Sequence, residues 1–90
     1  MNLNCLKDKN ILILGFAREG ADTLLFLRKL FPKKVLGIAD KSELKSLNSK
    51  FQKLIKNDKN LKLYLGKDYL KSLKNYNLII KSPGIPFKAL

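Results

Sequence analysis

Histidine and tryptophan are absent, and cysteine occurs once, at Cys5. Without histidine the chain lacks the side chain that most often acts as a general base near neutral pH. No Ser/His/Asp, Cys/His or paired-carboxylate constellation can be assembled from what remains. A lone cysteine closes no internal disulfide, and with no histidine no metal-ligand set is expected. Cys5 is read as inert, within a polar lead-in over residues 1–9. No apolar run approaches the ~20 residues of a membrane span. The N-terminus Met1-Asn2-Leu3-Asn4-Cys5-Leu6-Lys7 has neither the long apolar region nor the small-residue cleavage pattern of a signal peptide. What is left is one small domain of 90 residues, 46% hydrophobic, expected in the cytoplasm and away from membranes.

Acidic residues are also scarce, seven against nineteen basic ones, for a formal charge of +12. Such a balance suits a polyanionic partner, nucleic acid or a phosphorylated metabolite. The lysines, however, are spread along the whole chain, and only two of the nineteen basic residues are arginine, the type that base readout favours. Lysine filling the solvated faces explains the charge more simply, so nucleic acid is not the expected partner. A nucleic-acid module would show sequence-blind binding that collapses as salt rises.

The present residues have a clear order. Ile11-Leu12-Ile13-Leu14 is a run of four apolar residues, as in a strand buried on both faces of a parallel sheet. It ends at Gly15, and a helix is predicted from about Glu19 to Leu30. Leu24, Leu27 and Phe31 share one face of it, Leu25 and Phe26 widen that face, and Pro32 stops it. Residues 34–39 read as the second strand, ending at Asp40. Ser42 is placed to cap a helix on which Leu44, Leu47, Phe51, Leu54 and Ile55 recur at helical spacing. Leu61 to Leu65 alternates and reads as a third strand nearer an edge. A short helix over Asp68–Leu73 and a strand over Asn77–Lys81 follow. Strands alternating with helices predict an α/β fold, a Rossmann-like open parallel sheet of about four strands flanked by helices. In such sheets ligands bind beyond the carboxyl ends of the strands, where the strand order reverses. The loops beginning at Gly15, Asp40 and Ser82 all fall on that edge.

Gly15-Phe16-Ala17-Arg18-Glu19-Gly20 nearly fits the dinucleotide pattern G-x-G-x-x-G, with Ala17 in place of the glycine that lets backbone approach a pyrophosphate. Asp40 stands where a nucleotide-binding fold places an acceptor for ribose hydroxyls. An NAD(P)-binding redox or sensor domain is therefore one reading. The plain alternative is that Gly15 makes the turn and Gly20 allows tight packing, with no ligand. Arg18 is either solvated or clamps a phosphate at the head of the helix, and Glu19 is a first-turn helix residue. Ser82-Pro83-Gly84 is either a simple strand exit or a rigid loop offering a hydroxyl and N–H groups. Tyr64, Tyr69 and Tyr76 read as sheet-edge packing.

Taken in order, Ile11 to Gly20, then Ile38-Ala39-Asp40-Lys41, then Tyr64-Leu65-Gly66, then Leu78-Ile79-Ile80-Lys81-Ser82-Pro83-Gly84-Ile85-Pro86 resembles the N-terminal domain of the Mur ligases, over about residues 9–90. The chain is most similar to the members that add D-glutamate to UDP-N-acetylmuramoyl-L-alanine in peptidoglycan synthesis. The resemblance implies that residues 1–90 are the Rossmann-like substrate-binding domain of a longer, three-domain enzyme. That enzyme uses ATP and magnesium to phosphorylate the carboxylate of UDP-N-acetylmuramoyl-L-alanine. The D-glutamate amine attacks the acyl phosphate, giving a peptide bond, ADP and phosphate. ATP and D-glutamate belong to the other two domains, so this domain is expected to hold the UDP part and to bind no cofactor and do no chemistry alone. The absence of a G-x-x-x-x-G-K-[ST] motif agrees with that. Carried over by motif, Gly15, Phe16, Ala17, Arg18, Glu19 and Gly20 are expected to contact the diphosphate side. Asp40, Lys41 and Ser42 match the uracil-side loop, and Ser82, Pro83 and Gly84 the loop that closes over the nucleotide. Ala17 stands where many relatives have glycine, and Glu19 where some have a small or hydroxylated residue. A carboxylate there repels a diphosphate unless Arg18 or a lysine offsets it.

Overall fold

Four strands, each built from a short β-branched or leucine-rich run, assemble in the order β3-β2-β1-β4 with every pairing parallel. The computed structural model of the chain describes residues 4–81. A short helix α1 (Asn4–Lys7) leads into β1 (Ile11–Leu14), α2 (Arg18–Leu30) and β2 (Leu36–Asp40). A 3-10 turn (Leu44–Ser46), α3 (Ser49–Asn57), β3 (Leu61–Leu65), a 3-10 segment (Tyr69–Asn75) and β4 (Leu78–Lys81) complete it. This is the Rossmann-like open α/β arrangement expected. All four residues of β1 are buried, because its two faces are both covered.

Alternation along the strands divides the core. Ile11, Ile13, Leu36 and Ile38 meet Ala21, Leu24 and Leu27 of α2, Ile55 of α3 and the ring of Phe16. Leu12, Leu14 and Ala39 face the other way, against Tyr64, Tyr69, Leu70, Leu73 and Tyr76. Gly37 makes room there: a Cβ on it would lie 2.6 Å from the ring of Tyr76. The Tyr76 hydroxyl meets that of Tyr64 at 2.9 Å, and the rings are edge-to-face. Burial, and then the Tyr64 hydroxyl, push the Tyr76 phenol up from its ordinary value. The tyrosines thus pack as one layer over this face.

Several local expectations change. The predicted lead-in holds α1, and its Leu6 packs on the core. Helix α2 begins one residue early, at Arg18. Leu25 and Phe26 do not widen its core face: they are 49% and 54% exposed, because one and two steps past Leu24 the helix has turned them off the sheet. The second strand starts at Leu36 and includes Asp40, leaving Val35 half-exposed. The long helix predicted from Ser42 is broken. Leu47 is extended, and the Asn48 side chain accepts the Lys50 N–H at 2.9 Å, which starts α3 at Ser49. Leu44 and Leu47 still pack on the core, since an i, i+3 pair shares a face in a 3-10 turn as well. The helix expected over 68–73 is the 3-10 segment Tyr69–Asn75.

Candidate functional site

At the carboxyl edge, β1 lies between β2 and β4, so the strand order reverses around it. Gly15 leaves the strand with φ 91°, a conformation that glycine adopts without strain. Its N–H donates to the Ala39 carbonyl at 2.7 Å, which extends the ladder by one rung. Gly20 is required for a different reason. A Cβ at that position would run into the Gly15 carbonyl oxygen, so a side chain there would push the head of α2 off the turn. The motif's two glycines are therefore pressed against each other.

Between them, Phe16 is buried and its ring meets that of Phe51 edge-on at 6.0 Å. The ring is therefore turned into the core, and the backbone N–H donates to Asp40 Oδ2 at 2.6 Å. Ala17, Arg18 and Glu19 are exposed. Ala17 is the N-cap of α2 and supplies no side-chain acceptor. The first N–H groups of a helix have no intrahelical partner, and they carry the positive end of its dipole. Here no side chain caps them, and the Arg18 side chain is exposed in the same turn.

Asp40 ends β2 and joins three loops. Its Oδ2 holds Phe16, its Oδ1 accepts the Ser42 N–H at 2.8 Å, and its carbonyl accepts the Gly66 N–H at 2.9 Å. Lys41 is exposed and Ser42 half-buried. The residues expected from the first two loops are thus brought together. Lys81, the last residue of β4, is paired in register with Leu14. Ser82, Pro83 and Gly84 lie outside the described residues.

The spacing of motifs along the chain gave no sign of a cleft of about 740 Å³ between α2 and α3. Arg18, Asn48 and Lys50 line it together with Leu25, Phe51 and Leu54. It meets the loop cluster only at Arg18. The signal for Asn48 was its type, a strong N-cap residue, ahead of an apolar repeat. No helix among the described residues is long and apolar enough to cross a membrane.

The reversed strand order, the glycine turn and the uncapped helix head define a Rossmann-like α/β domain with an open loop cluster at its carboxyl edge. Among curated proteins the chain is similar to the UDP-N-acetylmuramoylalanine–D-glutamate ligase of Pediococcus pentosaceus, 31% identical over 84 residues, or 91% of this chain. The chain spans 17% of that protein's length. The similarity points to the Mur ligases. No protein-family model and no solved structure matches the chain.

Proposed function

We propose that this chain is the N-terminal, UDP-substrate-binding part of a Mur ligase that adds D-glutamate to UDP-N-acetylmuramoyl-L-alanine. The observation that carries the reading is the uncapped head of α2 beside Arg18, at the strand-order switch, within the 84 residues similar to a ligase of that name. The diphosphate sits at the N–H groups of Arg18, Glu19 and Gly20, where the helix dipole favours negative charge and nothing on Ala17 competes. Arg18 supplies the counter-charge that offsets Glu19. Lys41 and Ser42 flank the uracil side, and Ser82, Pro83 and Gly84 are the further nucleotide contacts that the resemblance implies.

The chain positions substrate and leaves the chemistry to other parts of the enzyme. It has no P-loop motif, and among its described residues no group of three or more acidic, Cys or His side chains could hold a metal ion.

An amide-resolved NMR titration of the 90-residue chain with UDP-N-acetylmuramoyl-L-alanine tests the proposal, with NAD and a short DNA as controls. Shifts at residues 18–20, 40–42 and 82–84 with the UDP ligand alone are expected. Shifts with NAD alone would replace the proposal by a dinucleotide-binding one. Two features stand against that outcome: the Ala17 methyl, and an Asp40 carboxylate already holding two N–H groups.

A further inference from the structure

Asp40 is expected, from its place at the end of the second strand, to accept a hydroxyl of the ligand. Its surroundings assign it other work. Each carboxylate oxygen already accepts a backbone N–H, Phe16 at 2.6 Å across 24 residues and Ser42 at 2.8 Å two residues on, while the backbone carbonyl of the same residue takes the Gly66 N–H at 2.9 Å. One residue at the end of a buried strand therefore ties together the loops that follow β1, β2 and β3.

We infer that Asp40 is a positioning residue: its carboxylate fixes the distance between the turn before α2 and the loop of residues 40–42, and the ligand is received by the groups it positions. This deepens the proposed function and rests on it. Three physical points support the assignment. An anionic acceptor makes stronger and shorter hydrogen bonds to N–H than a neutral one, and the Phe16 contact is short. The Phe16 N–H precedes the helix head, so fixing it aims the N–H groups of Arg18, Glu19 and Gly20 without occupying them. And a carboxylate close to a diphosphate would repel it, whereas one with both oxygens turned onto backbone donors presents less charge to a ligand. The motif thus has two parts of opposite sign, donors on α2 that no side chain caps and a carboxylate whose two oxygens are each engaged by a backbone N–H.

The consequence is a division among amides. Residues 18–20 respond to ligand, and Phe16 does not, because its N–H is already taken. Two substitutions separate the local turn from the bond between loops. Asp40→Asn offers one oxygen and puts an NH2 against the second donor. Asp40→Ser keeps a hydroxyl able to close the turn onto Ser42 but too short to reach Phe16.

The test uses the 90-residue chain and two measurements. In the free protein, hydrogen exchange at the Phe16 amide is expected to be slow in the parent and at least about tenfold faster in both variants, while the Gly66 amide, held by the Asp40 backbone, stays protected. In titrations with UDP-N-acetylmuramoyl-L-alanine, both variants bind about tenfold or more weakly than the parent, and residues 18–20 shift without the concerted shift of 40–42. A merely stabilising role would lower the melting temperature and leave that concerted pattern intact in the folded fraction. Parent-like affinity in Asp40→Asn and Asp40→Ser overturns the inference, as does an equally fast Phe16 exchange in parent and variants. A parent that does not answer the UDP ligand while its Phe16 amide is protected overturns the proposed function instead, and leaves Asp40 as the tie between the loops.

Discussion

The two edges of the sheet use one device to different ends. At the carboxyl edge Asp40 closes a turn onto the N–H two residues on and reaches a distant segment with its other oxygen. At the amino edge Asp58 does the same, accepting the Asn60 N–H at 2.9 Å with Oδ1 and Arg28 Nε at 2.9 Å with Oδ2. The difference is the distant partner. Arg28 is a long side chain that also donates from Nη1 to the carbonyls of Phe31 at 2.9 Å and Lys34 at 2.7 Å, so the ends of α2 and α3 and the approach to β2 are fastened by a side chain. Asp40 instead holds main-chain N–H groups with both oxygens of its own side chain. The first arrangement stabilises the fold and presents nothing. The second holds main-chain geometry and leaves Arg18 and Lys41 exposed.

That contrast is sharpest in Arg28→Ala. The Arg28 and Asp58 side chains are only 20% and 13% exposed, so removing one strands the other with several unmet bonds. A loss of about 2–4 kcal/mol in urea unfolding is expected, with unchanged UDP-ligand affinity in the folded fraction. Arg28→Lys should recover less than half of it, since an ammonium cannot replace the fork. A ligand-binding defect of equal size would erase the distinction between the edges.

Tyr76 offers a third anchor, on the opposite face of the sheet, and Tyr76→Phe is expected to cost about 1 kcal/mol. Its phenol is raised above the ordinary value of about 10, so folding favours the protonated form. The stability it brings is complete below pH 10 and is lost as pH rises beyond it. Urea midpoints between pH 9 and 11 should fall more steeply in the parent than in Tyr76→Phe; parallel curves would remove Tyr76 from the account. Asn48→Ala, which deletes the cap of α3, should cost a similar ~1 kcal/mol by the same unfolding measurement.

The smallest effect on stability belongs to Arg18→Ala, within about 0.5 kcal/mol because the side chain is exposed. By calorimetry it should nevertheless weaken the UDP ligand about tenfold. Stability and binding would then separate cleanly between Arg28 and Arg18, the chain's two arginines.

The parts of this fold that were legible are those in which one residue type answers to one local rule. Ile11 to Leu14 reads as a doubly covered strand, and Gly15 with Gly20 marks the turn and the close approach from residue type alone. What escaped depended on contacts far apart in sequence or on near-degenerate local choices. Nothing in Arg28 or Asp58 announced a bond across 30 residues. Leu44 and Leu47 fit a 3-10 turn as well as an α-helix, and Asn48 decided between them by capping. Asp40 was legible as the residue that ends the second strand, but its bond to Phe16 depends on where that N–H points, which only the folded turn reveals.

Phe16 carries a last consequence. Its ring is sunk in the core against Phe51 while its backbone forms the turn beneath the head of α2. A turn rooted in this way cannot swing without withdrawing an aromatic ring, so its ordering entropy is settled during folding and not at the moment of encounter. A ligand arriving at that helix head would meet donors already in place. Its association should be a single fast phase, its rate rising linearly with ligand concentration, and affinity differences between ligands should appear in how slowly they leave.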